Sequence, residues 1–159
     1  MSKKQSLNYL YELIPKEQWV RVAIDLCERA IFWANLNGAK VDARSYGGLL
    51  ALRRMAEHTI GRDEYRLAIS ESGVACPYRG YLGERKNADD LMVGWIVWFS
   101  MWTVWDSLPD PNGKPMFYIN LLNNSNTKFC LGRFGQRCGV WKDKRLLNLL
   151  ENNGVVING

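Results

Sequence analysis

The single histidine of the chain, His58, is the residue best suited to acid–base chemistry near neutral pH. An unperturbed imidazole changes its charge in that range, which the other side chains do not. The sequence carries no Gly-x-Gly-x-x-Gly motif, no Gly-Lys-Ser or Gly-Lys-Thr phosphate loop and no Gly-x-Ser-x-Gly nucleophile elbow. Because none of these catalytic patterns is present, the sequence favours a non-enzymatic protein.

The segment Arg53-Arg54-Met55-Ala56-Glu57-His58 resembles the Arg-x4-6-His signature of the HEPN-domain ribonucleases, which are small all-α proteins. The resemblance covers this segment alone. It implies that Arg53 and His58 act on the scissile phosphate of RNA, usually across a dimer interface. On a regular helix, however, five positions correspond to about 500° of rotation, which would turn the two side chains about 140° apart. HEPN-like cleavage, with Arg53 and His58 as the catalytic residues, is therefore an alternative hypothesis.

Residues 128–145 hold the whole excess positive charge of the chain. Six Lys and Arg side chains and one Asp give this segment a net charge of +5, which equals the formal net charge of all 159 residues. Aromatic side chains are interleaved with the cations, a composition that favours a surface meeting an anionic partner. The residues predicted to contact that partner are Lys128, Arg133, Phe134, Arg137, Trp141, Lys142, Lys144 and Arg145.

Three interpretations of this basic segment are open. An acidic protein surface would complement the cations, and Arg, Trp and Tyr are the side chains that dominate protein interfaces. RNA or DNA would also qualify, because aromatic rings that stack on bases stabilise single-stranded contacts by about 1–3 kcal/mol each. The cations could also be the solvated face of a hairpin and helix. We predict a protein-binding module of the inhibitor, immunity or antitoxin type, with RNA or DNA binding as the alternative.

The four cysteines lack the spacing of a metal site. Structural zinc sites usually bring their ligands in close pairs such as Cys-x-x-Cys, and the sequence contains no such pair. We therefore expect no metal and no other cofactor. Reduced thiols and the lack of a secretory signal predict a cytoplasmic protein.

The most apolar segment, Leu91 to Trp105, is too short to cross a membrane. As a helix, its 15 residues would span roughly 22 Å, whereas a bilayer core is about 30 Å thick. A helix that is apolar on all sides is typical of a buried central element. Tryptophans recur on one side of it at helical spacing, which predicts an aromatic seam in the core, with an exposed ligand groove as the alternative.

Helical periodicity and capping residues predict four helices in the first two thirds of the chain. Pro15 suits the start of the first, and Asp42 is a plausible cap for the second. Gly38, Gly61 and Gly73 follow the ends of the first three. The predicted spans are 16–36, 42–60, 62–72 and 87–107.

The remainder of the chain is expected to be mixed. A dense turn at 109–115 separates the helical part, 1–108, from a basic C-terminal part, 116–159. There we predict a hairpin from 127–131 and 138–141, and a last helix over 143–152. The fold class predicted for the single domain, 1–159, is therefore mainly α, with four to five helices around a central Trp-rich apolar helix and a small C-terminal β hairpin.

Overall fold

The structure is a computed structural model that describes residues 11–74, 88–109, 125–139, 143–152 and 154. Within these ranges it contains six α-helices and no strand. Two short 3-10 helices, Tyr11–Leu13 and Lys16–Gln18, precede them. The α-helices are α1 (Trp19–Leu36), α2 (Ala43–Ala56), α3 (Arg62–Val74), α4 (Ala88–Ser107), α5 (Ser125–Cys138) and α6 (Lys144–Asn152).

The starts of the first two helices follow local signals in the sequence. Pro15 has an extended backbone, and its carbonyl accepts a hydrogen bond from the amide of Gln18 at 2.9 Å, which opens the turn that leads into α1. The Asp42 carboxylate accepts a hydrogen bond from the Arg44 amide at 2.8 Å and so caps α2.

The predicted helices over 16–36, 62–72 and 87–107 are confirmed within a few residues.

Helix α2 ends at Ala56, four residues before the predicted end at Ile60. His58 adopts a left-handed backbone with a φ of 58°. Its amide bonds to the Met55 carbonyl at 3.2 Å, and the Thr59 amide bonds to the Arg54 carbonyl at 2.9 Å. These two bonds are those of a Schellman C-cap, in which a left-handed residue just past the helix satisfies the last carbonyls. His58 therefore stands where glycine is usual.

Helix α4 is the centre of the fold, as its composition predicts. It packs against α1, α2, α3 and α5, and every residue from 92 to 104 is buried. The rings of Trp95 and Trp98 meet edge to face at 5.3 Å, and those of Trp98 and Trp102 at 6.4 Å. Aromatic pairs favour this arrangement because the positive ring edge faces the negative ring surface. Trp95, Trp98 and Trp102 are thus part of the core, and the alternative of an exposed ligand groove does not hold at these three residues.

Two glycines allow neighbouring helices to approach α4 closely. A Cβ atom on Gly48 would lie 2.6 Å from Val97 Cγ1, and one on Gly73 would lie 2.8 Å from Trp98 Nε1. Real Cβ atoms do not tolerate such distances, so both positions require glycine for packing. Both glycines allow close contact between helices. Gly48 also has the weak helix propensity that the sequence suggests.

The predicted β hairpin is wrong, because residues 125–138 form helix α5. Its buried residues recur at three- and four-residue intervals, which is the period of a helix with one face against the core. Gly132 and Gly135 lie inside this helix, so packing of the apolar face overrides their weak helix propensity. The buried set is Thr127, Cys130, Leu131, Phe134 and Cys138.

The predicted last helix is confirmed as α6, which buries Leu146 and Leu150. The turn cluster beyond residue 109 and the second hairpin strand beyond residue 139 lie outside the described residues.

Candidate functional site

Helix α5 does not present the predicted basic and aromatic residues as one surface. Phe134 is completely buried in the core, so its assignment to a partner-binding surface is wrong. Lys128 and Arg137 are exposed, at opposite edges of the outward face of the helix, and Arg133 is half-buried. Trp141 and Lys142 of the predicted set lie outside the described residues.

Arg29 of α1 joins three elements at the junction of α5 and α6. Its Nη1 donates to the Cys138 carbonyl at 2.9 Å, at the C-terminal end of α5. Its Nε donates to Asp143 Oδ2 at 3.1 Å, and its Nη2 lies 2.5 Å from the same oxygen. Guanidinium contacts to a carboxylate and a helix-end carbonyl are charge-assisted and directional. Arg29 therefore fixes where α6 begins.

Asp143 caps α6 while it holds Arg29. Its Oδ1 accepts a hydrogen bond from the Arg145 amide at 3.0 Å, which is the usual geometry of an N-cap carboxylate. Burial alone would raise the pKa of Asp143, but the hydrogen bonds and charge of Arg29, with the backbone amides of Arg145 and Leu146, hold the pKa below its ordinary value. The carboxylate therefore stays ionised. It contacts α1 through Arg29 and the start of α6 through the Arg145 amide.

Arg145 is placed by this junction against α1. Its Nη2 lies 3.5 Å from Asp25 Oδ1, and its Nε lies 4.0 Å from Asp143 Oδ1. The pKa of Asp25 is raised overall, and burial is the main cause. The Arg145 charge lowers this pKa, whereas the neighbouring carboxylates of Asp143 and Glu28 raise it further. Arg145 therefore contacts α1 through Asp25.

Helices α1 and α2 run antiparallel and are joined by two polar bridges. Asn35 Nδ2 donates to the Tyr46 hydroxyl at 3.0 Å, and Arg53 Nη2 donates to Glu28 Oε2 at 2.6 Å. The two bridges are seven residues, or two helical turns, apart on each helix. This register places Phe32 between the bridges.

An open cleft of about 560 Å³ lies between these bridges and the start of α6. We call it the α1–α2–α6 cleft. Its floor is α1, one wall is α2, and Arg145 forms the opposite wall. The residues that line it are Glu28, Arg29, Ile31, Phe32, Asn35, Tyr46, Leu49, Arg53 and Arg145.

Helices α1 and α2 carry most of the exposed large apolar side chains of the described residues. Six such side chains are exposed in these residues, and four of them, Phe32, Leu36, Tyr46 and Leu50, lie on α1 and α2. Phe32 and Tyr46 line the cleft. Phe32 is 69% exposed and Leu36 is 72% exposed. Concentrated apolar exposure on one face is typical of a binding surface, whereas single exposed residues are ordinary.

Sequence reasoning missed these four residues, although a signal existed for two of them. Projected at 100° per residue, Phe32 and Leu36 fall on the outward polar face of α1, with Arg21 and Glu28. An aromatic and a leucine on that face are the sequence sign of the site. Tyr46 and Leu50 give a weaker signal, because their position depends on how α2 packs on α1.

The structure separates the roles of Arg53 and His58. Arg53 belongs to the α1–α2–α6 cleft through its ion pair with Glu28. His58 lies in the turn after α2, exposed, where it ends the helix. Both residues are described, and no hydrogen bond or ion pair joins them. Their arrangement gives no support to the paired roles that the HEPN resemblance implies.

The described cysteines have the properties of core residues. Cys27, Cys130 and Cys138 are buried, and burial raises the pKa of the Cys27 and Cys130 thiols to about 12. A thiol that stays protonated is a poor nucleophile and a poor metal ligand. In the described part of the chain, no three His, Cys, Asp or Glu side chains are grouped so that they could hold a metal ion.

Comparison with known proteins gives no relative from which a function could be transferred. No protein-family model, no curated protein and no solved structure matches the chain. Among the described helices, none combines the length and apolar character needed to cross a membrane. The functional argument therefore depends on the geometry of the cleft.

Replacement of Asp143 by Asn tests the junction. The variant loses the ion pair with Arg29, and we expect the free energy of unfolding to fall by about 2 kcal/mol at neutral pH. Because the folded pKa of Asp143 is lowered, its contribution is complete above the ordinary value of 3.8 and is lost as the pH falls through the folded value. The difference between the two proteins should therefore shrink below about pH 4 in urea unfolding.

Glu28→Gln is the matched control, because it removes a carboxylate from a more exposed pair. It should cost about 0–1 kcal/mol. Equal losses in the two variants would contradict the special role of Asp143.

Replacement of His58 by Gly tests whether His58 is a structural residue. Glycine adopts the left-handed backbone without the Cβ clash, so the variant should be more stable by about 1 kcal/mol in urea unfolding. His58→Ala keeps the Cβ atom and should show no such gain. A loss of stability in His58→Gly would show that the imidazole makes contacts that this account omits.

Proposed function

We propose that the protein is a non-enzymatic binding module of the inhibitor, immunity or antitoxin type, which docks on a protein partner with an acidic surface. The docking site is the α1–α2–α6 cleft. The observation that carries this proposal is that exposed Phe32 and Tyr46 line the same cleft as the guanidinium groups of Arg53 and Arg145.

The composition of the cleft supports a protein partner. Arg and Tyr are among the residues that contribute most to binding energy in protein interfaces, and Phe is enriched in them. Such anchors act when they are exposed before binding and become fully desolvated in the complex. Phe32 and Tyr46 meet the first condition, because both are exposed in the free chain.

The electrostatics of the cleft support an acidic partner. The Arg145 side chain is 70% exposed, whereas that of Asp25 is 20% exposed. Arg53 is likewise more exposed than Glu28, and Arg29 more than Asp143. In each pair the carboxylate lies behind the cation, so the surface presents guanidinium N–H groups to the solvent. The same carboxylates hold the arginines in place, which lowers the entropy lost on binding.

The described geometry gives less support to the alternative of RNA or DNA. Base stacking needs exposed aromatic rings next to free cations. Phe134 of the predicted basic segment is in the core, so it is not available to stack on a base.

The test is quantitative affinity capture with the immobilised full chain, using nuclease-treated lysate of the source organism. Phe32→Ala and Arg145→Glu should each reduce recovery of the specific partner by at least about tenfold, because loss of a central anchor costs 2 kcal/mol or more. Circular dichroism of each variant verifies folding, which is expected because both side chains are largely exposed.

Matched controls separate the cleft from the rest of the surface. Leu67→Ala removes an equally exposed apolar side chain from α3, and Arg137→Glu reverses an exposed charge on α5. Both controls should retain the partner. Recovery that depends on Arg137 and is indifferent to Phe32 would overturn the cleft as the docking site, and binding that is lost on nuclease treatment would indicate a nucleic-acid partner.

A further inference from the structure

We infer that the segment of the partner that enters the cleft is an acidic amphipathic α-helix, which lies along α1 between Arg53 and Arg145. This inference rests on the proposed function and goes beyond it, because it specifies the secondary structure and the charge pattern of the partner segment.

The spacing of the exposed apolar residues fits a helical occupant. Phe32 and Leu36 are four residues apart on α1, and Tyr46 and Leu50 are four residues apart on α2. Residues at this spacing form a ridge along the face of a helix. One residue of each ridge, Phe32 and Tyr46, lines the cleft. Amphipathic helices bind apolar grooves through residues at i, i+3 or i+4, and i+7.

The length of the cleft agrees with the binding of a helix. The two polar bridges that bound Phe32 are seven residues apart on each helix, which corresponds to about 10 Å along the axis. Leu36, which is 72% exposed, lies one further residue beyond Asn35 and extends the apolar surface past the bridge. An occupant of two to three helical turns would cover this surface.

The charges of the two walls select an acidic occupant. Arg53 uses Nη2 on Glu28, and its other N–H groups donate to no described residue. Arg145 approaches its two carboxylates at 3.5 Å and 4.0 Å, which are long distances for hydrogen bonds. Both guanidinium groups therefore keep donors for carboxylates on either side of an apolar stripe.

A second copy of the chain fits the same surface less well. In a symmetric dimer, the same patch lies on both sides of the interface. The α1–α2–α6 cleft would then bring the arginines of one copy towards those of the other, where like charges repel. An acidic helix avoids this repulsion and uses the free donors.

The test is selection from a phage-displayed library of random 16-residue peptides, with the full chain as bait. Enriched peptides should carry two or more Asp or Glu residues around apolar residues at helical spacing. The strongest synthetic peptide should gain helical circular dichroism when it binds. Phe32→Ala and Arg145→Glu should each weaken its binding at least tenfold in fluorescence anisotropy, whereas Leu67→Ala and Arg137→Glu should leave it within twofold.

The contrary outcomes are distinct from failure of the proposed function. Enriched peptides that are basic, that lack helical spacing or that bind the Phe32→Ala variant equally well would overturn the helical occupant, as would a selection with no enriched peptide. None of these results would affect cleft-dependent capture of a whole partner. A dimer in analytical ultracentrifugation that Phe32→Ala converts to a monomer would assign the groove to a second copy and would also overturn the inference.

Discussion

The contacts of the Arg29 guanidinium determine how the C-terminal part of the described chain joins the helical core. One side chain on α1 binds the last carbonyl of α5 and the capping carboxylate of α6. Asp143 is only 6% exposed, so an unpaired carboxylate there would be costly, and the pair with Arg29 removes that cost. Because Asp143 also caps α6, the position of Arg145 on the cleft wall depends on the same contact.

Helix α1 connects the core to the candidate site. Its inner face packs on the apolar helix α4, and this packing fixes the direction in which Phe32 and Glu28 point. Its outer face is the floor of the cleft, with α2 held on one side by the Asn35 and Glu28 bridges. The core packing and the proposed binding surface are therefore two faces of one helix.

The helical part of the fold could be predicted because its signals are local. Asp42 caps, Pro15 starts a turn, and the apolar segment around Trp98 has to be buried. The predicted hairpin strand over 127–131 is wrong because the glycines that follow it suggest a turn, whereas burial of a helical face around Phe134 outweighs that preference. Of the candidate site, the sequence identified Arg145 and, under another hypothesis, Arg53. It could not indicate that they line one cleft, since that depends on the long-range contact between Arg29 and Asp143.

Hydrogen exchange on Arg29→Met tests most directly whether this contact positions the cleft wall. If the contact holds α6, the amides of residues 144–152 should exchange at least tenfold faster in the variant than in the unmodified chain, while the amides of α4 keep their protection. Arg53→Met, which breaks a more exposed pair, should leave α6 unchanged. Unaltered protection of α6 in Arg29→Met would contradict the account, because the wall of the cleft would then be held by the packing of Leu146 and Leu150 alone.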